Sequence, residues 1–168
     1  MRQERMIERT LDVIKPDGVQ RGLVGTIISR FENAGMKLVG MKMAWVDKDF
    51  AGRHYTDEIA KKHGEHVRKF NIDFITEGPV VAFVLEGVNA IENVRKMIGS
   101  TEPRQAQPGT IRGDFTHVSY EYADKKKMVV RNVVHASSSK KDAEYEIQLW
   151  FTKQDLHDYK SKFWEVMH

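Results

Sequence analysis

The sequence predicts an α+β fold, a four-stranded antiparallel sheet covered by helices in the order β-α-β-(αα)-β-α-β. Three observations lead there. Short β-rich apolar runs alternate with stretches whose apolar residues keep helical spacing. The most apolar run, Val80 to Leu85, reads as a central strand. The order of elements suits a ferredoxin-like βαββαβ sandwich better than a doubly wound parallel sheet. With 168 residues, 40% hydrophobic and 30% charged, the chain has the makings of one domain over residues 1–168 with a sizeable core, and disorder is disfavoured.

Taken in order, residues 9–14 read as a strand that stops at the turn Lys15-Pro16-Asp17-Gly18. Leu23, Ile27 and Phe31, with Val24 and Ile28 beside them, predict a helix that Gly35 ends. Residues 37–46 look extended. Residues 48–76 read as a helical hairpin carrying Tyr55, Ile59, Val67 and Phe70, and residues 80–86 as the central strand. A short helix is expected from Asn89 to Ile98, closed by Gly99. Residues 101–114 form a long loop with two prolines and two glycines, and loops of that length inside a compact domain tend to be functional or disordered. A strand near 128–134 leads to His135, and a last helix starts at about Ser139.

Several functional classes fall away on composition. Cysteine is absent, so disulfide scaffolds, thiolate zinc sites and thiol catalysis are excluded. No apolar run approaches the roughly 18 residues that span a bilayer, and the charged N-terminus shows no secretory leader, so a cytoplasmic address without membrane partners is expected. A net charge of +3 suits an anionic ligand but is too small to indicate a nucleic-acid partner. The basic clusters Lys61-Lys62, Lys125-Lys126-Lys127 and Lys140-Lys141 read as solvated faces. Phosphate-loop, dinucleotide, nucleophile-elbow and zincin motifs are all missing. The nearest phosphate-loop match, from Gly35 to Lys42, has Met41 where the lysine belongs. His63 and His66 sit three apart on an expected helix but lack a third ligand, so no metal site is assigned.

The stretch from Asn132 to Phe151 carries the chemistry. Ser139 and Asp142 have approximate capping-box spacing, which starts a helix just after His135. Ala143, Ile147 and Trp150 form its inward stripe, and Glu146 borders that stripe. A half-buried carboxylate needs a partner, and the imidazole of His135 is a candidate, with the Ser137 hydroxyl close by. A carboxylate on one ring nitrogen fixes the tautomer and leaves the other free as a nucleophile. The alternative is a satisfied strand-end histidine beside a serine cap cluster. A dispersed set of groups, Lys15, Arg95, Thr101 and Arg112, would suit a polyphosphate if the fold gathered them.

These pieces, in this order over nearly the whole chain, resemble the nucleoside diphosphate kinase family. They are Ile14-Lys15-Pro16-Asp17-Gly18-Val19-Gln20-Arg21-Gly22, His54-Tyr55, Gly78-Pro79-Val80-Val81, Pro108-Gly109-Thr110-Ile111-Arg112-Gly113-Asp114-Phe115 and Asn132-Val133-Val134-His135, with further likeness through Glu146, Trp150 and Asp158-Tyr159-Lys160-Ser161. The resemblance implies ping-pong transfer of a γ-phosphoryl group from a nucleoside triphosphate such as ATP to a nucleoside diphosphate, through phosphohistidine at His135. Glu146 and Ser137 match positions that orient the imidazole. Arg95, Thr101 and Arg112 match phosphate-binding positions, Lys15 and Asn132 match contacts to sugar hydroxyl and phosphate, and Tyr55 matches a phenol beside the transferred group. Val129 matches a position near the base. It further implies Mg²⁺ carried on nucleotide oxygens and water, weak base discrimination, and a homo-oligomer, most often a hexamer.

Three departures accompany the likeness. The family's His-Gly-Ser-Asp is His135-Ala136-Ser137-Ser138 here, so Ala136 would restrict the backbone if that position needed a positive φ. Residues 116–128 are longer than the usual spacer and are expected to make an exposed excursion such as a hairpin. Residues 56–70 lack the Phe-rich base-stacking piece, for which Val67 or Phe70 could substitute. Two other readings compete: a nucleic-acid or regulatory module using Lys125 to Arg131, without an RNP-like aromatic strand, and an assembly protein with a structural histidine.

Overall fold

The computed structural model describes residues 6–167. Its strands are β1 (Ile7–Ile14), β2 (Lys37–Ala44), β3 (Val80–Val88) and β4 (Val134–Ala136). Among the described residues they form one sheet in the order β2-β3-β1-β4, antiparallel at every pairing. The predicted ferredoxin-like α+β architecture is therefore present. β1 and β3 hold the middle, where residues 10–14 and 80–85 are buried on both faces, as strands covered on two sides require. Leu11 and Val13 face a layer containing Trp150, Tyr55 and Ile75, whereas Ile14 faces one containing Ile27, Phe31, Val94 and Ile98.

The helices follow the apolar periodicity. Helix α1 (Pro16–Gln20) replaces the expected turn, with proline at its first position, where no N–H is needed. Helix α2 (Val24–Asn33) buries Ile27 and Phe31. The expected hairpin over 48–76 is three helices, α3 (Lys48–His54), α4 (Asp57–His63) and α5 (Glu65–Ile75). Gly64, at φ +95°, breaks the chain between α4 and α5, so His63 and His66 lie on different helices. Helix α6 (Ala90–Ile98) buries Ile91, Val94 and Ile98. The loop over 101–114 contains a 3-10 turn (Pro103–Gln105) and leads into α7 (Ile111–Phe115).

Two expectations near His135 are corrected. The excursion over 116–128 is not a hairpin but a helix, α8 (Tyr120–Lys126), capped by Ser119 and braced by a Lys125–Glu121 pair one turn apart. Residues 128–133 are not a strand, since β4 begins only at Val134. Helix α9 (Lys140–Trp150) starts where expected, with the Ser139 hydroxyl accepting from the Asp142 N–H. The chain beyond α9 runs along the edge of β2, where the His157 N–H donates to the Val39 carbonyl. It ends in α10 (Lys162–Met167). Among the described residues no helix is long and apolar enough to cross a membrane.

One residue in the core breaks the pattern. Asp12, opposite Phe83 and Ala136, is fully buried, and neither carboxylate oxygen has a hydrogen-bond partner. Burial, and then the nearby Glu146 charge, push its pKa well above the ordinary value, so the group is held as a neutral acid. An acid whose folded pKa is raised destabilises the fold increasingly as pH rises through its unfolded value. Asp12→Val is therefore expected to gain about 1–3 kcal/mol in urea unfolding at neutral pH, with the gain shrinking in acid, where the carboxyl is protonated in both states.

Candidate active site

Two sheet strands and one helix bring the reactive groups together. β4 presents His135 between buried Val134 and Ala136, and α9 carries Glu146 on the face that packs against β1. His135 Nε2 lies 3.0 Å from Glu146 Oε1, and the Ser137 hydroxyl donates to Glu146 Oε2 at 2.5 Å. Ser137 is itself fixed to the centre of the sheet, because its oxygen accepts from the Leu11 N–H at 3.2 Å. Burial alone would raise the Glu146 carboxyl, but the charge and hydrogen bond of His135, with His54 and Ser137, bring it down to about 2. The carboxylate stays ionised and holds Nε2 as the proton-bearing nitrogen. Nδ1 of His135 has no hydrogen-bond partner among the described residues.

The approach to His135 is strained. The Val134 N–H donates to the Asn132 carbonyl at 2.7 Å across Val133, whose φ is +58°. This is a γ-turn centred on a β-branched residue in the left-handed region, a placement that costs about 1–3 kcal/mol. Its surroundings enforce it. Asp17 Oδ2 accepts from the Val133 N–H at 3.1 Å, the Lys15 N–H donates to the Val133 carbonyl at 2.8 Å, and the Val133 side chain is fully buried. Gly18 is required for that approach, since a Cβ there would meet Ile14 Cγ2 at 2.7 Å and the Val133 oxygen at 3.0 Å. The β-rich composition of 128–134 concealed this turn. Ala136 is extended and pairs with Asp12, so replacing glycine there introduces no positive-φ strain.

The dispersed cations do gather. Lys15 Nζ donates to Asn132 Oδ1 at 2.8 Å, and Asn132 Nδ2 donates to the Thr101 carbonyl at 2.8 Å. Arg112, buried at 6% exposure, spends three N–H groups on the carbonyls of Asn132, Gly99 and Val134, which keeps two of its five for a ligand. Burial, followed by the field of Arg95, lowers Arg112 to about 10, and burial with Arg112 lowers Lys15 to about 8. Arg112 lies in the field of Arg95 and Lys15 in that of Arg112, an arrangement of positive charge that suits an anionic ligand. Arg95 and the side chain of Thr101 are exposed, Val129 is half-buried, and Val67 and Phe70 are both half-buried on α5.

Tyr55 and His54 complete the centre. Tyr55 is buried, its hydroxyl has no partner, and burial with the charges of Glu146 and Asp17 pushes its pKa up. Nothing in the sequence assigned His54 a role, yet its ring stands edge-on to His135 with centroids 4.6 Å apart. Donor atoms of His54, His135 and Glu146 lie within 4.8 Å of one another, a spacing that could suggest a metal. The hydrogen bonds argue otherwise. Trp150 Nε1–H donates to His54 Nδ1 at 3.2 Å, and His135 and Glu146 are engaged with each other.

A family model described as nucleoside diphosphate kinase matches residues 8–156. The chain belongs to the nucleoside diphosphate kinase family. A nucleoside diphosphate kinase of Borreliella burgdorferi is 47% identical over 156 residues, 92% of this chain and 93% of that protein. One from Pyrococcus furiosus is 49% identical over 153 residues, 91% and 88% of the two chains. Among solved structures, a transition-state mimic of the Borrelia burgdorferi nucleoside-diphosphate kinase with bound vanadate and ADP superposes with a TM-score of 0.95 at 46% identity, covering 98% of each chain. An NDP kinase from Pyrobaculum aerophilum gives a TM-score of 0.84 at 36% identity, covering 90% of this chain and all of that one. As a member of the nucleoside diphosphate kinase family, the chain is a nucleotide phosphotransferase.

Asp17, to which the sequence assigned no role of its own, is the acceptor that stabilises the strained γ-turn. Asp17→Ala would leave the buried Val133 N–H without a partner. It is expected to cost about 1–3 kcal/mol in denaturant unfolding and to slow phosphotransfer, measured as the rate of a single turnover.

Proposed function

We propose that the enzyme transfers the γ-phosphoryl group of a nucleoside triphosphate to a nucleoside diphosphate by a ping-pong route through phosphohistidine at His135. The observation that carries this reading is the division of labour on one ring, with Nε2 bound to Glu146 and Nδ1 without a hydrogen-bond partner among the described residues, in a centre where His54 lies in the field of both His135 and Lys15 and Tyr55 in that of both Glu146 and Arg112. In the first half-reaction the Nδ1 lone pair attacks the γ-phosphorus, the bond from phosphorus to the bridging oxygen breaks, and the diphosphate leaves with that electron pair. The ring, phosphorylated on Nδ1 and still protonated on Nε2, gains positive charge, which the adjacent Glu146 carboxylate offsets. The diphosphate of a second nucleotide reverses the step.

Phosphoryl transfer asks the protein mainly for position and charge. Arg112, Arg95 and Thr101 suit the phosphates, Lys15 and Asn132 suit phosphate and sugar hydroxyl, and Tyr55 offers a hydroxyl to the moving group. The carboxylates fit a magnesium ion that rides on the nucleotide. Glu146 is committed to His135 and Ser137, and Asp17 to Val133, so Mg²⁺ would be held by phosphate oxygens and water, where it supplies charge neutralisation. Val129, with either Val67 or Phe70, would offer the base apolar contact without paired donors, in keeping with low base specificity. The proposal extends to a single domain over residues 1–168, a cytoplasmic address and a homo-oligomer, for which a hexamer is the family's expectation. Exposed Met41 and Met43 on β2, at the edge of the sheet, and Trp45 just beyond it support a second copy docking there.

Incubation with γ-labelled ATP and Mg²⁺ is expected to leave an acid-labile label on the protein, which any nucleoside diphosphate then removes. His135→Ala is expected to abolish both steps, and normal labelling of that variant would overturn the assignment. Because the Lys15 pKa is lowered to about 8, its binding form is lost as pH rises, so kcat/KM is expected to fall above about pH 8. The limb in kcat should lie higher, since bound phosphates favour the ammonium. Lys15→Arg, charged throughout, should remove the limb in initial-rate measurements.

A further inference from the structure

We infer that His54 is a catalytic hydrogen-bond donor to the phosphoryl group on His135, with its proton placed on Nε2 by Trp150. The inference rests on the proposed phosphohistidine chemistry and adds a residue to it. An indole N–H can only donate, so the contact from Trp150 Nε1 at 3.2 Å makes His54 Nδ1 an acceptor without a proton. Burial, then the neighbouring His135, hold the His54 pKa down to about 3, so the ring is neutral and carries its single proton on Nε2. That Nε2–H is buried and has no partner.

A buried donor left unpaired costs free energy and calls for an explanation. Glu146, the acceptor at hand, gives one oxygen to His135 and the other to Ser137 and takes no bond from His54. The ring lies 4.6 Å from that of His135 and 4.7 Å from that of Tyr55, whose hydroxyl is the other unpartnered donor at this centre. Two adjacent residues therefore present buried, unsatisfied donors next to the nucleophile. A phosphoryl group on Nδ1 of His135 brings three strong acceptor oxygens into their reach, so both are satisfied when charge arrives there. The Trp150 contact matters because the opposite tautomer would turn a lone pair toward the anion. Trp150 is itself positioned by the core, buried and edge-on to Phe50 with centroids 4.7 Å apart.

The test is nitrogen NMR of the full-length protein labelled with ¹⁵N-histidine, before and after phosphorylation by ATP and Mg²⁺. His54 is expected to carry its proton on Nε2 throughout, and that proton is expected to move downfield in the phosphoenzyme. A proton on Nδ1, or an Nε2–H signal unchanged while His135 is phosphorylated, would overturn the inference and leave phosphotransfer standing. No phosphorylation at all would take both down. In kinetics, His54→Leu is expected to lower kcat by about 10²–10³-fold, the usual effect of losing one such donor, with His54→Gln recovering part of it through its amide N–H. Trp150→Phe keeps a ring in the core while releasing the tautomer. It should give mixed His54 tautomers and a lower kcat at little-changed KM, whereas an unaltered tautomer in that variant would contradict the role given to Trp150.

Discussion

The contact between His135 Nε2 and the Glu146 carboxylate is the constraint on which the site depends. In the proposed mechanism it decides which nitrogen keeps a proton and which is open to phosphorus, and it requires two elements distant in sequence to meet within 3.0 Å. The fold meets that demand with little local freedom. β4 pairs with β1 for only three residues, and Ser137 then ties both the Glu146 carboxylate and the Leu11 backbone to one hydroxyl. An error in that short register would move His135 to the other face of the sheet.

Around this contact the protein stores unfavourable terms, which the proposed function assigns to a polyphosphate to relieve. Lys15 and Arg112 are buried near one another with lowered pKa values, Tyr55 and His54 hold unpartnered donors, and Val133 sits in a strained conformation. Each term alone would destabilise the fold, and each is held in place by packing on both faces of the sheet. Gathering positive charge and unsatisfied donors in a water-poor site prepares it for an anion with little reorganisation on binding. Asp12 stands apart from this logic. It is buried in the same sheet without partners, and no contact in the structure explains it.

Much of this was legible in the sequence, because the signals were local or periodic. Apolar spacing located α2, α6 and α9, and the continuous apolar run located β3. The Glu146 position relative to the inward stripe of α9 led to its pairing with His135. What escaped depended on tertiary partners. Residues 128–133 look like a strand, yet Asp17, more than a hundred positions away, bends Val133 into a γ-turn. Helix α8 did leave a signal, with Ser119 as a cap and Glu121 four before Lys125, but tyrosines and a lysine run made the stretch read as an excursion. His54 could not be assigned from sequence, because its tautomer depends on Trp150, 96 residues away.

The most direct test of the central claim is to find which ring nitrogen of His135 carries the phosphoryl group. A long-range ¹H–¹⁵N–³¹P correlation on the phosphoenzyme, formed with ATP and Mg²⁺ and kept at alkaline pH, reads this from phosphorus coupling. The account predicts phosphorus on Nδ1 with Nε2 protonated and bound to Glu146. Phosphorus on Nε2, or on any other residue while His135 stays unmodified, would contradict it.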